Sequence, residues 1–138
     1  MDRDDEGVLE AARAIRPYLG RLVESADAAA ELDRQLAGEL GQVSDLPASA
    51  GRLRVLLGQH EDTAWFLGKV LADAPEHRPP YHQPGYRTRG TASPPGDVTP
   101  IAAARYNCPV CRNYVWYRPD VGTPVPRCRT DDVLLTQA

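Results

Sequence analysis

Three cysteines and an aspartate near the C-terminus are the residues with the clearest chemistry. Cys108 and Cys111 form a Cys-x2-Cys pair, and Cys128 with Asp131 repeats that spacing after 16 intervening residues. Two cysteines in one tight turn can bind the same metal ion, and two such pairs about 15–20 residues apart are typical of a four-ligand zinc site. The spacing therefore predicts one structural zinc ion bound by these four residues.

The fourth position holds an aspartate, whereas cysteine and histidine are the more common ligands of structural zinc. Aspartate can bind zinc through an oxygen at about 2.0–2.2 Å, so Asp131 is the first candidate. Asp132, His77 and His82 are the alternatives, and a ribbon without metal is another. An iron site for electron transfer is not expected, since such sites use four thiolates.

The residues around the cysteines have the composition of a small β unit. Residues 114–117 are aromatic and β-branched, and residues 133–135 can form a returning strand. Asn113 can adopt the left-handed backbone conformation that follows a tight turn. Residues 104–138 have too little core to fold alone, so a bound metal would add the missing stability.

With these motifs, residues 104–136 resemble a zinc ribbon of the rubredoxin-like kind with two knuckles. The stretch from Trp116 to Cys128 also resembles the tails of small actinobacterial proteins, in which Cys-x2-His-Gly commonly closes the second knuckle. Asp131 stands where that group has cysteine or histidine. The resemblance carries no established activity. It suggests an accessory protein of a bacterial signalling or defence-type system.

Residues 1–74 are predicted to be helical, which makes the whole chain α+β by segments. Three blocks of apolar residues recur every three or four positions, which is the period of one helix face. We expect an antiparallel three-helix bundle, with a half-buried His60 inside the third block. The blocks are Val8, Ala12, Ile15, Leu19 and Leu22; Ala29, Leu32, Leu36, Leu40 and Val43; and Leu53, Leu57, His60, Ala64, Leu67 and Leu71.

Residues that begin, break or end helices support these boundaries. Pro17 lacks an amide hydrogen and should kink or break the first helix. Ser25 or Asp27 can cap the start of the second helix, and Gly41 can end it.

Residues 75–103 are predicted to be a linker rich in proline and glycine. Seven of the 13 prolines lie between positions 75 and 100, where aliphatic side chains are scarce. Such a stretch cannot bury enough apolar surface to fold. We therefore expect this tether to keep residues 1–74 and 104–138 independent of each other.

The composition excludes several function classes. Charged residues make up 25% of the chain, and no apolar run approaches the roughly 18–20 residues of a membrane span. The acidic start at Met1 is unlike a secretory signal and predicts a cytoplasmic protein. No nucleophile elbow, phosphate loop or zinc-protease motif is present, so we expect no enzyme.

The leading hypothesis is an adaptor whose helical half docks a protein partner, with the ribbon as a second contact. Trp65 and Phe66 lie partly off the main apolar stripe and are the predicted anchors, because aromatic residues dominate binding hot spots. A second copy of the chain is an alternative partner for this half.

The alternative hypothesis is a regulator that binds nucleic acid through the ribbon. Arginines interleaved with aromatic residues can contact phosphates and stack on bases. The net charge of residues 75–138 is only modestly basic, with 8 arginines against 5 acidic residues, so this hypothesis ranks second. The candidate residues are Arg105, Arg112, Trp116, Tyr117, Arg118 and Arg127.

Overall fold

The computed structural model describes residues 3–73, 77–79, 104–118 and 122–138. The fold is α+β, with four longer helices and a small antiparallel sheet in this part of the chain. Most of the predicted linker, and His82 within it, lies outside the described residues. No helix among the described residues is long and apolar enough to cross a membrane. The helices are α1 (Arg3–Ile15), α2 (Leu19–Leu22), α3 (Ala26–Leu40), α4 (Leu46–Leu57) and α5 (Glu61–Ala72), and the strands are β1 (Arg105–Asn107), β2 (Val115–Tyr117) and β3 (Thr136–Gln137).

The predicted break at Pro17 is confirmed. α1 ends at Ile15, and a single 3₁₀ turn from Arg16 to Tyr18 carries the proline near its start before α2 begins. Proline is tolerated there because the first amides of a helical segment need no partner within it. Arg16 and Tyr18 in this turn are both buried.

The predicted ends of the second helix are also confirmed in α3. The Ser25 hydroxyl accepts a hydrogen bond from the amide of Ala28 at 3.3 Å, which satisfies one free donor at the helix start. Gly41 ends the helix, and its amide donates to the carbonyl of Ala37 at 3.0 Å.

The prediction of one long third helix is wrong, so the bundle does not have three helices. α4 stops at Leu57, Gly58 closes it, and α5 starts after His60, whose backbone is extended. The Thr63 hydroxyl lies within hydrogen-bond distance of the carbonyl oxygens of Leu57 and His60, and these two acceptors, which the break leaves free, share its one hydrogen.

This break changes which face of α5 is buried. Phe66 and Val70, which lie off the predicted stripe, are fully buried, whereas Ala64, which lies on it, is exposed. A continuous helix would have carried the apolar face in one register from Leu53 onward. The three-residue connection, residues 58–60, lets α5 rotate its aromatic residue into the core instead.

The sheet has the strand order β2–β1–β3, and all pairs are antiparallel. Tyr106 at its centre pairs with Trp116 on one side and Gln137 on the other. The returning strand comes one residue after the predicted 133–135 stretch, of which Leu134 forms only an isolated bridge to Arg127.

The sheet packs directly on the helices through α1, which contacts β2 as well as α3, α4 and α5. Val115 and Trp116 are buried in the same apolar cluster as the helical core. At the edge of this contact, the Arg105 guanidinium donates two hydrogen bonds to the Glu10 carboxylate, at 3.0 and 3.1 Å. The expectation of two independent parts is therefore wrong, because the described helices and strands share one core.

Candidate metal centre

Two tight turns of matching backbone geometry hold the predicted ligands. We call residues 108–111 the first knuckle and residues 128–131 the second knuckle. In the first, the amide of Arg112 donates to the carbonyl of Cys108 at 3.0 Å; in the second, the amide of Asp132 donates to the carbonyl of Cys128 at 2.8 Å.

Each knuckle is followed at once by a residue in the left-handed region, with φ of 60° at Arg112 and 52° at Asp132. The expectation that Asn113 takes this conformation is wrong by one residue. Because the two backbones match, Asp131 stands in the second knuckle where Cys111 stands in the first. The sequence spacing and the backbone geometry thus point to the same fourth residue.

The four side chains converge on one point. The ligand atoms of Cys108, Cys111, Cys128 and Asp131 all lie within 4.8 Å of one another. The Asp131 Oδ2 lies 3.2 Å from the Cys108 Sγ and 3.7 Å from the Cys128 Sγ, and the sulfurs of Cys111 and Cys128 are 3.9 Å apart. A tetrahedral ion with metal–sulfur bonds of about 2.3 Å and a metal–oxygen bond of about 2.1 Å separates its ligands by about 3.6–3.8 Å. The residues therefore fit a single tetrahedral metal ion.

Backbone amides around the first knuckle are aimed at its sulfurs. The amides of Val110 and Cys111 donate to the Cys108 Sγ at 3.3 and 3.5 Å, and the amide of Asn113 donates to the Cys111 Sγ at 3.5 Å. Hydrogen bonds of this kind favour the negatively charged thiolate, which is the form that binds metal.

Two of the thiols and the carboxylate have pKa values shifted in opposite directions. Burial raises the pKa of the Cys111 thiol to about 12 and also raises the pKa of Cys128. Hydrogen bonds from the thiols of Cys111 and Cys108 lower the pKa of Asp131. A metal ion would therefore displace thiol protons and join a carboxylate that is already ionised.

The other candidates for the fourth ligand that lie among the described residues, Asp132 and His77, do not join this cluster. Asp132 is exposed and lies outside the group of converging atoms. His77 is buried elsewhere, with its Nδ1 3.4 Å from the carbonyl oxygen of Val70 and its ring against Gly7.

Arg16 contacts the second knuckle and the chain just after the first knuckle, although sequence reasoning did not identify it. Its side chain is buried, at 1% exposure, although it carries a charge. Nη1 donates to the carbonyl oxygen of Asn113 at 3.1 Å, just after the first knuckle. Nη2 donates to the hydroxyl of Thr130 at 2.6 Å, inside the second knuckle.

The charge of Arg16 is balanced from the helical side by Asp33 of α3. Its Nε lies 2.7 Å from one carboxylate oxygen, and its Nη2 lies 3.2 Å from the other. Burial alone would lower the pKa of Arg16, but the hydrogen bonds and charge of Asp33 raise it, so the guanidinium stays charged. The ring of Tyr114 lies 5.0 Å below the guanidinium and adds a cation–π contact.

The residues of the nucleic-acid hypothesis are mostly engaged within the chain. Trp116 is only 5% exposed, so its ring offers no open face to a base. The Tyr117 hydroxyl donates to Glu10 at 2.9 Å, and Arg105 pairs with the same carboxylate. Arg118 lies over the ring of Tyr106.

The two remaining arginines of that hypothesis lie on the surface. Arg112 is exposed after the first knuckle, and Arg127 donates to the carbonyl oxygen of Asp132 at 2.8 Å.

The two predicted partner anchors have different positions. Phe66 is 0% exposed and packs near the ring of Tyr18, with the ring centroids 6.1 Å apart. It is therefore a core residue and not a surface anchor. Trp65 is half-buried and packs against the core from its edge.

Comparison with protein families, with curated proteins and with solved structures gives no match for this chain. The interpretation of the site therefore depends on its own geometry. That geometry defines a cluster of three thiols and one carboxylate that can hold a metal ion.

Proposed function

We propose that the two knuckles form a zinc ribbon that binds one structural zinc ion through Cys108, Cys111, Cys128 and Asp131. The observation that carries this proposal is the convergence of all four ligand atoms within 4.8 Å on two matching turns. Thiolates favour zinc over the harder cations that prefer oxygen, and a tetrahedral arrangement is the usual one for zinc.

The ligand set favours a structural rather than a catalytic role. A catalytic zinc site keeps one coordination position open for water or substrate, whereas four protein ligands close the site. We therefore propose that the protein is not an enzyme and that zinc fixes the two knuckles relative to each other.

We further propose that the protein acts as an adaptor that docks a protein partner through its helices. Support comes from a groove between α3 and α4 that contains Val55 and Leu56, with Gln35 on its rim. Val55 is 66% exposed in this groove, so a docking partner could bury its side chain. Phe66 has no part in this proposal because it is buried.

Nucleic-acid binding has weaker support as the alternative. Stacking needs an accessible ring, but Trp116 is buried and Tyr117 is hydrogen-bonded to Glu10. Binding would have to depend on exposed arginines alone, and such contacts are sensitive to salt and provide little specificity.

Metal analysis of the purified full chain tests the zinc proposal. We expect about one zinc per chain after mild purification without chelators. Substitution with cobalt should give the visible spectrum of a tetrahedral ion with sulfur ligands. A stoichiometry near zero in a sample with reduced cysteines would overturn the proposal.

Co-purification from the native host tests the adaptor proposal. We expect a partner to be recovered with the wild-type chain and lost with Val55→Lys. Ala30→Lys is the control, because Ala30 is an exposed position on α3 outside the groove. Equal recovery with both variants would remove the groove from the interface, and recovery of only a second copy of the chain would replace the adaptor with a homo-oligomer.

A further inference from the structure

We infer that Arg16 couples the metal site to the helical core, so that metal binding stabilises the helices and the helices set metal affinity. This inference rests on the proposed zinc site. Arg16 belongs to the 3₁₀ turn after α1, yet its contacts reach residues 97 and 114 positions away in sequence. It is a positioning residue, since it contacts no ligand atom in the hydrogen bonds described above.

The first part of the argument is geometric. One planar guanidinium holds the carbonyl oxygen of Asn113, the hydroxyl of Thr130 and the carboxylate of Asp33. Two metal ligands come from each knuckle, so the tetrahedral arrangement requires the knuckles to keep a fixed separation. A rigid group that bonds Asn113 after the first knuckle and Thr130 in the second, and is itself fixed to α3, supplies that constraint before metal binds.

The second part of the argument is electrostatic. Three thiolates and one carboxylate around a divalent cation leave a net charge of about −2 on the filled site. The side chains of Cys128 and Cys111 are close enough to Arg16 that their thiolate forms, which metal binding requires, would favour the charged guanidinium. A buried cation beside a buried anionic centre acts in a medium of low dielectric constant, where charges interact more strongly than in water.

The coupling must act in both directions. If the metal stabilises the position of Arg16 and hence its pairing with Asp33, then an intact Arg16–Asp33 pair must raise metal affinity by the same factor. The buried pair thus links occupancy of the site to α3 and the residues packed on it. Zinc should therefore raise the melting temperature of the helical signal as well as protect the knuckles.

Two variants separate this role from ordinary stabilisation. Arg16→Met removes the charge and the hydrogen bonds but leaves the Asp33 carboxylate buried without a partner. The double variant Arg16→Met/Asp33→Leu replaces the whole pair by apolar side chains, which proteins often tolerate well, and it keeps the test decisive if the single variant does not fold.

The matched control is Arg13→Met. Arg13 lies in the last turn of α1, three residues before Arg16. Arg13 donates to the side chain of Asn113 at 3.3 Å and belongs to the same face, but none of its hydrogen bonds described here reaches the second knuckle or Asp33. Arg13 therefore shares the contact with Asn113, but it does not connect that residue to the second knuckle and to α3.

The experiment measures zinc affinity by competition with a chromophoric chelator, and helix melting by circular dichroism with and without zinc. We expect the Arg16 variants to bind zinc about 10- to 100-fold more weakly, as is usual when a hydrogen-bond partner behind the ligands is lost. The shift in melting temperature on adding zinc should shrink in parallel, whereas Arg13→Met should behave as wild type.

Each outcome decides between the claims. Wild-type affinity, or an unchanged zinc-induced shift, in the double variant would overturn the inference and leave the zinc site standing. Equal weakening by Arg13→Met would also overturn it, because the bridge would then not be the cause. Absence of zinc binding by the wild-type chain would overturn the proposed function and this inference with it.

Discussion

Replacing Asp131 by alanine is the sharpest test of the fourth ligand. The carboxylate oxygen lies at contact distance from the sulfurs of Cys108 and Cys128, so alanine would leave three thiolates and an open position. The control is the neighbouring acidic residue, Asp132. Its φ is 52°, so the residue that replaces it must tolerate the left-handed conformation. Asparagine tolerates that conformation better than alanine, so Asp132→Asn removes the same charge without adding backbone strain.

The expected magnitude follows from the number of ligands. Structural zinc sites bind with an apparent free energy of about 10–16 kcal/mol at neutral pH. An equal share for each of four ligands is about 2.5–4 kcal/mol, which corresponds to roughly 100- to 1,000-fold in affinity at 1.4 kcal/mol per decade. Asp131→Cys should tighten binding instead, because it restores the more usual four-thiolate set.

Chelator competition at fixed pH measures all three variants, and cobalt spectra report the ligand type. Asp131→Cys should strengthen the sulfur-to-cobalt charge-transfer band because it adds a fourth thiolate. Asp131→Ala should leave the intensity of this band at the level of three thiolates. Equal and small effects of Asp131→Ala and Asp132→Asn would refute the assignment of Asp131 as a ligand.

Four further predictions concern the core and the pH dependence. Phe66→Ala should cost about 3–5 kcal/mol of unfolding free energy in denaturant titrations, and Trp65→Ala should cost less, because only Phe66 is fully buried; equal losses would contradict this placement. Gly7→Ala should lower the melting temperature, since the new Cβ would lie 2.5 Å from the His77 Nδ1 and 2.9 Å from the Leu71 Cδ2. Adding His77→Ala removes the closer contact and should restore part of the loss. Metal affinity should rise with pH between about 6 and 8, because metal displaces thiol protons. In the metal-free protein, folding stability should fall with rising pH, which is opposite to the trend in metal affinity. Burial raises the pKa of Cys111 to about 12, so the contribution of this thiol to stability is fully present below the usual thiol pKa of about 8.5. That contribution is lost as the pH rises toward 12. Acid and alkaline denaturation of the metal-free chain would check that sign.

The four site residues could be read from the sequence because their geometry is local. Each knuckle closes over four residues, so the two-residue spacing contains most of the information about where the side chains point. The break at Pro17 and the ends of α3 were predictable for the same reason. In each case a single residue imposes its backbone preference on its immediate neighbours.

The break between α4 and α5 had a local signal that periodicity concealed. The apolar spacing continues through Leu57, His60 and Ala64, so it indicates one stripe on one helix. Gly58 ends α4, and the acidic pair that follows His60 lies in the first turn of α5, where negative charge is favoured. The residues that end α4 and begin α5 thus indicate the break, whereas the hydrophobic period does not.

The role of Arg16 had no signal in its sequence neighbourhood. Its partners lie 17, 97 and 114 residues away, and only the packing of the sheet on α1 brings them together. The position of Phe66 was hidden in the same way, since its burial depends on how α5 rotates after the break. Long-range contacts of this kind follow from the tertiary fold and cannot be derived from composition or spacing.

Because the sheet packs on the helices, loss of the metal should not unfold the strands. A small isolated ribbon unfolds without zinc because it has almost no core of its own. Here Val115 is fully buried and Trp116 nearly so, in an apolar cluster shared with the helices, and Arg105 is paired with Glu10 across the contact. Burial of large side chains of this kind stabilises by about 1.5–3 kcal/mol each, independently of metal. The strands should therefore stay docked in the metal-free chain, and the loosening should be confined to the two knuckles, whose positions depend on the metal and on Arg16.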